Sequence, residues 1–361
     1  MVADRAPRPH YGYIDGLRAV AVLAVVCFHV VVGESVVHGR LLPGIEQIGT
    51  RGVDLFFVLS GFCLSLPYLR RARATGVLEI DYGQFMSRRF ARIAPPYYVA
   101  LAAFTLLAST PFGYPSTWAT SVAALDNAGA REFVPDLAFM TTSLPVANTS
   151  FWTLGIEMRW YLVCPLLIAL FWRSRVAFAA VMLATYALYY ALPSHVLDAG
   201  TLPAFMLGIV AAHLTLAVRR IGVVAIVAAC ALLALAMLQQ ARTLQVDHGS
   251  PLWHLACFAV IVAARAELPA RVLAWRPLVL TGGASYSIYL VHQPLIVWLG
   301  RHGVPWVVAG ALATGIGIVF WALVERRFLQ ERTRETLAGG LRRLFGRYTR
   351  PPIVVPARGS W

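Results

Sequence analysis

Lysine is absent from this 361-residue sequence, and charged residues of any kind are scarce. Charged residues make up 13% of the chain, whereas a soluble globular domain has about 25%. Hydrophobic residues make up 59%, compared with roughly 45–50% in such domains. So little charge and so much apolar surface exclude a water-soluble enzyme and an intrinsically disordered chain.

The formal net charge of +14 comes from 31 arginines alone. Nucleic-acid-binding domains usually gather Lys and Arg on one soluble face. Here the arginines stand in short runs between apolar segments. We therefore expect no nucleic-acid partner and expect the lipid bilayer to surround the chain.

Cysteine is also scarce, with five residues that all lie inside apolar runs. Their number is odd and no CxxC pair occurs, which excludes a small disulfide-stapled scaffold. We expect each cysteine to serve as a small buried hydrophobic residue, and we expect no metal site.

The sequence instead contains a series of ten apolar runs. Most are long enough for a helix to cross about 30 Å of hydrocarbon. The runs cover residues 15–33, 52–69, 95–112, 151–172, 176–192, 200–218, 221–238, 251–264, 277–299 and 304–325. The sequence thus predicts an all-α, polytopic integral membrane helix bundle with about ten transmembrane helices, in the inner (cytoplasmic) membrane of the cell.

The arginines indicate how the bundle is oriented. With a cytoplasmic N-terminus, 24 of the 31 arginines fall in cytoplasmic segments and five in outer segments, as the positive-inside rule requires. Both termini are then predicted to be cytoplasmic. We assign residues 1–335 to one transmembrane domain and residues 336–361 to a basic cytoplasmic tail on the anionic inner leaflet. The longest outer loop, about 113–150, is long enough to form part of a binding mouth.

Ionisable residues inside a membrane are costly and are candidates for function. The group at the predicted inner depth consists of Asp15, Arg18, Arg89, Arg92, Glu325 and Arg326. Arg89 and Arg92 share a face if residues 83–93 are helical, and Pro95 and Pro96 are predicted to open the next transmembrane helix. Guanidiniums at the cytoplasmic interface suit phosphate, although ordinary snorkelling arginines are the alternative.

A histidine lies deeper on the first helix. His29 follows Arg18 by eleven residues, so both side chains point the same way, about 16 Å apart along the helix axis. An imidazole titrates at about pH 6.5 and can accept a proton at physiological pH. The alternative for His29, and equally for His292, is a structural histidine that donates to a neighbouring carbonyl.

Two carboxylates at the predicted outer-to-middle depth need partners, because an unpaired carboxylate in lipid is costly. Asp54 and Glu157 lie near the outer ends of the second and fourth helices. Either can orient an imidazole or a hydroxyl substrate. Either can equally pair with Arg51 or Arg159 for stability.

Five sequence blocks, taken in order, resemble the acyltransferase family 3 of membrane proteins. The blocks are residues 13–21 (YIDGLRAVA), 52–62 (GVDLFFVLSGF), 88–98 (RRFARIAPPYY), 151–157 (FWTLGIE) and 285–294 (SYSIYLVHQP). Arg18 and His29 fit the family's Arg-x10-His pattern, Arg89 and Arg92 its Arg-x2-Arg pair, and Glu325 stands where the last helix usually carries an acid. The likeness spans residues 13–325.

The resemblance implies transfer of an acyl group, often acetyl from acetyl-CoA, to a hydroxyl of a carbohydrate or another glycosylated product. It implies that His29 is the catalytic residue and that Arg18, Arg89 and Arg92 are essential and tied to the cytoplasmic donor. We predict a catalytic site of His29, Arg18, Asp54, Glu157 and His292, with His29 as general base. We predict a donor site of Arg18, Arg89, Arg92 and Glu325, with acyl-CoA as a substrate and no permanently bound cofactor.

The sequence departs from the family in two places. Residues 158–160 (MRW) replace the usual Glu-Gln-Phe after Glu157, so we expect an unusual acceptor. Some relatives append an extracytoplasmic SGNH-type esterase domain. We expect this chain to work without one, alone or with a partner protein of envelope biosynthesis.

Two other classes of function remain open from the residues alone. A transporter or exporter of a small or glycosylated molecule also carries buried Arg, His and Glu. The sequence shows no clear pair of matching halves with interrupted helices, which disfavours it. A structural or sensory membrane protein leaves the alignment of Arg18 with His29 unexplained.

Overall fold

The computed structural model describes the chain in ten stretches. They are residues 11–38, 45–108, 136–139, 148–192, 199–218, 220–243, 247–329, 336–337, 339–340 and 352–356. The helices are α1 (Gly12–His38), α2 (Ile45–Thr75), α3 (Tyr82–Ala108), α4 (Trp152–Arg173), α5 (Arg175–Ala191), α6 (Leu202–Ala217), α7 (Val223–Thr243), α8 (Pro251–Ala263), α9 (Glu267–Leu273), α10 (Arg276–Gly283), α11 (Ser285–Arg301), α12 (Trp306–Phe320) and α13 (Arg326–Leu329). Two strands are β1 (Val77–Ile80) and β2 (Ile353–Pro356).

Most of the apolar runs become helices of membrane-spanning character. Six helices of the described part are long and apolar enough to cross a membrane, and α5 and α8 are shorter apolar helices. The predicted multi-pass helical membrane protein is confirmed at this level. The total of ten crossings and the cytoplasmic position of both termini stay predictions.

Helices α1 and α2 lie at the centre of the bundle. Helix α1 packs on α2, α10, α11 and α12, while α2 packs on α6 and α8 as well. Small residues set the closest crossing: a Cβ on Gly61 would lie 1.9 Å from the Phe205 carbonyl oxygen, and one on Gly208 would lie 2.1 Å from that of Val58. Glycine at both positions therefore lets the backbones of α2 and α6 touch.

Helix α3 does not open at its two prolines, contrary to the sequence prediction. It begins at Tyr82 and continues through Pro95 and Pro96 to Ala108. Proline inside a membrane helix is tolerated where neighbouring helices supply hydrogen bonds to the backbone. The hydroxyl of Tyr286 on α11 donates to the Ile93 carbonyl at 2.9 Å, just before the prolines.

The apolar run at residues 277–299 forms two helices, although the sequence predicts one. Helix α10 ends at Gly283 and α11 begins at Ser285. Helix α10 lies directly on the start of α1, where a Cβ on Gly282 would lie 1.7 Å from the Asp15 carbonyl oxygen. This packing holds α10 against α1, while α11 forms a separate helix.

A small sheet departs from the predicted helix-only fold. Strands β1 and β2 pair antiparallel, with Val77 opposite Pro356 and Ile80 opposite Ile353. The Trp172 indole of α4 donates to the Val355 carbonyl at 3.1 Å. Part of the predicted tail thus packs on the bundle. Most of residues 336–361 lie outside the described ones, and the contact of the tail with the inner leaflet stays a prediction.

Candidate functional site

A cavity runs between α1, α2, α3, α4 and α11. Its wall consists of Arg18, Val53, Phe56, Phe57, Leu59, Ser60, Cys63, Leu64, Arg89, Arg92, Ile93, Thr153, Leu154, Glu157, Tyr161, Ser285, Tyr286 and Tyr289. Aliphatic and aromatic side chains dominate this wall, and the polar ones fall into distinct groups along it.

One group is cationic and comes from α1 and α3. Arg18 lies one turn into α1, where it pairs with Asp15 at 3.7 Å and keeps 25% of its side chain exposed. Arg89 and Arg92 reach the same cavity from α3, which is helical throughout residues 83–93. The structure therefore brings the three arginines of the predicted donor site to one wall.

Arg89 carries an unused donor at this wall. Its Nε is buried and has no hydrogen-bond partner among the residues the structure describes. Such orphan donors are uncommon in folded proteins and call for an explanation. A bound anion would supply the missing acceptor.

Glu325 lies behind the cavity wall. It sits at the end of a π-helical turn, Trp321–Glu325, and is fully buried. One of its oxygens, Oε2, accepts from the Ser287 hydroxyl at 2.6 Å, while Oε1 has no partner within the described part of the chain. Ser287 follows Ser285 and Tyr286, which do line the cavity. π-Helical turns frequently occur at functional sites.

Glu157 lines the cavity further along, with two hydroxyls as its partners. The Ser60 hydroxyl donates to Glu157 Oε1 at 2.8 Å, and the Tyr161 hydroxyl donates to the same oxygen. These partners are neutral, unlike the arginines considered from the sequence. Glu157 therefore presents a carboxylate held by hydroxyls to the cavity.

His29 and His292 lie side by side next to the cavity. Their ring centroids are 4.9 Å apart, with an interplanar angle of 58°. His292 is fully buried and its Nδ1 lies 2.8 Å from the Tyr289 carbonyl, whereas His29 is half-buried. Tyr289 lines the cavity, and its ring centroid is 5.4 Å from that of His292. The imidazole pair thus stands just beyond the cavity wall.

Asp54 faces away from the cavity. Its carboxylate accepts from Arg51 Nη1 at 2.9 Å and pairs with His248 Nδ1 at 2.8 Å. Arg51 also donates to the Asp247 carbonyl at 2.7 Å and to the Gln240 side chain. Of the alternatives left open by the sequence, the structure shows both a pairing with Arg51 and an imidazole partner.

Sequence reasoning missed His248, which stands in the short segment between α7 and α8. No periodicity or motif marks it, because it lies on a loop. Its ring centroid lies 5.5 Å from that of Trp152, and its side chain is 22% exposed. The segment therefore joins α2 and α4 at one end of the bundle.

Sequence reasoning also missed the hydroxyls of Thr153 and Tyr289. The two oxygens are 2.6 Å apart, and Tyr289 also donates to the Ser150 carbonyl at 3.0 Å. Both side chains line the cavity. The available signal was a threonine and a tyrosine inside apolar helices, where a polar atom needs a buried partner.

The predicted outer mouth lies largely beyond what the structure describes. Of the loop at about 113–150, residues 136–139 and 148–150 are described. Tyr97 donates to the Asp136 carbonyl at 2.7 Å, and Asn148 donates to the Leu290 carbonyl at 2.8 Å. These contacts hold a middle segment of the loop to α3 and the last residues of the loop to α11.

Within the described residues, no group of three or more His, Cys, Asp or Glu side chains is arranged to hold a metal ion. The site therefore combines cations, a carboxylate and hydroxyls on the cavity wall with two imidazoles beyond it. Such a set can bind an anion at one end and move a proton at the other.

Comparison with known proteins gives matches over most of the chain. The model of a family described as an acyltransferase domain matches residues 11–326. Peptidoglycan O-acetyltransferase OatA of Listeria monocytogenes is 28% identical over 343 residues, covering 81% of this chain and 50% of that protein. O-acetyltransferase OatA of Staphylococcus aureus is 23% identical over 326 residues, covering 80% and 51%. The chain spans about half the length of these curated relatives. No solved structure matches it.

Proposed function

The chain belongs to the acyltransferase-domain family, and on that premise we propose that it is a membrane O-acyltransferase that works as follows. It takes an acyl group, acetyl in the first instance, from acyl-CoA at the cytoplasmic side. It transfers this group to a hydroxyl of a carbohydrate or glycosylated acceptor. In this proposal the chain crosses the inner membrane ten times, with both termini in the cytoplasm.

The observation that carries the proposal is the arrangement of charges along one cavity. Arg18, Arg89 and Arg92 share its wall, and the imidazoles of His29 and His292 stand beyond Tyr289. Coenzyme A has anionic phosphates joined to a long uncharged arm that ends in the thioester. Guanidiniums bind phosphate through paired hydrogen bonds, and the apolar, aromatic wall suits the arm.

His29 acts as the general base in this reaction. It takes the proton of the acceptor hydroxyl while that oxygen attacks the thioester carbonyl carbon. The carbon–sulfur bond breaks, the acyl–oxygen bond remains, and the coenzyme A thiolate receives the proton from the imidazolium. General-base catalysis of this kind is worth about 10²–10⁴-fold in rate.

The remaining predicted residues have supporting roles in the proposal. Glu157 faces the cavity and positions the acceptor hydroxyl, with Ser60 and Tyr161 fixing its orientation. Glu325 acts on the donor side through Ser287. Asp54 lies outside the cavity, so its contribution is to hold the outer end of α2.

The acceptor class is proposed from the relatives. One relative is named a peptidoglycan O-acetyltransferase, so an envelope glycan is the first acceptor to test for this chain. A partner protein of envelope biosynthesis stays a prediction. The transporter alternative predicts no covalent change in any envelope component.

The test uses membrane vesicles of the producing strain, which carry the cell's own acceptors, and acetyl-CoA labelled in its acetyl group. We expect label in envelope glycan and one coenzyme A released per acetyl transferred. His29→Ala is expected to lower the transfer rate at least about 10²-fold without loss of protein from the membrane. His302→Ala is the matched control, because His302 is an exposed histidine at the end of α11.

Activity of His29→Ala within about threefold of wild type would remove His29 from the base role, since that role is worth at least about 10²-fold. Vesicles that accumulate a compound without releasing coenzyme A would favour the transporter. Both results are read from the same vesicles.

A further inference from the structure

We propose that His292 is a positioning residue for His29. Its unprotonated Nε2 holds the proton of His29 on Nδ1, so that His29 Nε2 is the atom that takes the acceptor proton. This inference rests on the proposed role of His29 as the base. It specifies which nitrogen of His29 carries the proton, and it names His292 as the residue that determines this.

The hydrogen bond of His292 determines its tautomer. Its Nδ1 lies 2.8 Å from the carbonyl oxygen of Tyr289. A carbonyl oxygen only accepts, so Nδ1 carries the ring proton. The ring is fully buried, and a second proton would place an uncompensated charge there. The neutral ring therefore has a free lone pair on Nε2.

Two orphan nitrogens belong to these adjacent rings. His292 Nε2 and His29 Nδ1 are both buried, and neither has a hydrogen-bond partner among the described residues. The ring centroids are 4.9 Å apart, a separation at which two ring nitrogens that face each other lie within hydrogen-bond distance. Buried polar atoms in folded proteins almost always have a partner. An N–H on His29 Nδ1 that donates to His292 Nε2 satisfies both atoms.

This pairing decides which nitrogen of His29 is basic. With Nδ1 protonated, Nε2 keeps a lone pair for the acceptor hydroxyl. After proton transfer, the positive charge is on His29, whose Nδ1–H still donates to His292, and His292 stays neutral. The proton leaves from His29 Nε2 to the coenzyme A thiolate. His292 thus orients the base as the carboxylate does in a serine-protease triad, but without a negative charge.

Two amide substitutions separate the two nitrogens of His292. In His292→Gln the terminal amide reaches the position of Nε2, so an acceptor for His29 is retained. In His292→Asn the amide lies near Nδ1, so the bond to the Tyr289 carbonyl is retained and the acceptor for His29 is lost. The two variants therefore preserve opposite halves of the same ring.

The experiment measures kcat and the KM for labelled acetyl-CoA in the vesicles described above. We expect His292→Asn to lower kcat about 10²-fold and His292→Gln to lower it much less. The KM for acetyl-CoA is expected to stay within about twofold in both, because the arginines that bind the donor are untouched. An unchanged KM for acetyl-CoA also shows that each variant is folded. We expect the acid limb of the kcat/KM pH profile to move in His292→Gln, because this limb reports His29.

The opposite order overturns the inference. If His292→Asn is as active as His292→Gln or more active, His292 serves only as an anchor for the Tyr289 carbonyl. Wild-type kcat in both variants, together with an inactive His29→Ala, rejects this inference and leaves the proposed function intact. An active His29→Ala rejects the base role itself. The three variants therefore distinguish the two failures.

Discussion

Arginines that look alike in the sequence have different contacts in the structure. Arg70 is engaged with the Tyr11 hydroxyl, and Arg73 donates to the Leu216 carbonyl. Arg89 and Arg92 line the cavity instead, and Arg89 keeps a buried, unpartnered Nε within the described structure. The arginines at the end of α2 thus tie helices together, whereas those of α3 face the cavity.

This difference predicts unequal effects on the donor. Arg89→Ala and Arg92→Ala are expected to raise the KM for acetyl-CoA roughly tenfold or more each, because a charge-assisted hydrogen bond to phosphate is lost. Arg70→Ala and Arg73→Ala are the matched controls and are expected to leave that KM within about twofold. Titration of acetyl-CoA into vesicles of each variant measures the effect. Equal losses for all four would mean a diffuse positive field in place of a binding site.

Elements meet near the N-terminal end of α2 through a buried polar cluster. Arg51 is 5% exposed and Asp54 is fully buried. Arg51 also lies over the Trp253 ring of α8, 4.9 Å from its centroid. With His248, these contacts hold α2 to α8 and to the segment that precedes it.

The cluster predicts a stability effect at Asp54. Asp54→Asn leaves the Arg51 charge buried without its counter-charge, which is expected to cost about 3–5 kcal/mol. A second change, Arg51→Met, removes that charge and is expected to recover much of the loss, since apolar replacement of a buried pair is often neutral. Thermal unfolding of the detergent-solubilised protein measures both. A stable Asp54→Asn protein with a kcat reduced about 10²-fold would instead place Asp54 in the catalytic step.

The whole molecule has two chemically different ends. One end, where α1 begins and α2 ends, carries Arg70 and Arg73 and lies next to the β1–β2 sheet. The other carries Asp54 and His248. The bundle thus has a cationic end and an opposite end closed by buried polar pairs.

This polarity predicts sidedness. Coenzyme A is too charged to cross a bilayer unaided, so inverted vesicles, which display the arginine-rich end, are expected to use external acetyl-CoA. Right-side-out vesicles are expected to be inactive until a mild detergent opens them. An added soluble glycan acceptor should react only from the other side. Equal activity with both substrates on the arginine-rich side would show an ordinary cytoplasmic-face acyltransferase whose product needs a separate exporter.

The sequence by itself determined the membrane class and which segments are helical, although not every helix boundary. An apolar run of sufficient length predicts a helix, and helical periodicity predicts that Arg89 and Arg92 share a face, as they do at the cavity wall. These properties are local, so a short stretch of sequence is enough to predict them. The acyltransferase family followed from motifs of the same local kind and is confirmed.

Only the tertiary structure decided which distant groups meet. Ser60 and Glu157 are 97 positions apart in the chain and form a hydrogen bond between two helices. His29, near the start of the chain, packs against His292, which lies near its end. Asp54 pairs with His248, which lies on a loop that has no sequence pattern. The physical reason is that apolar helix faces accept many rotations and neighbours in lipid. Close glycine crossings such as Gly61 on Phe205 fix one of them, and that choice sets every contact between helices.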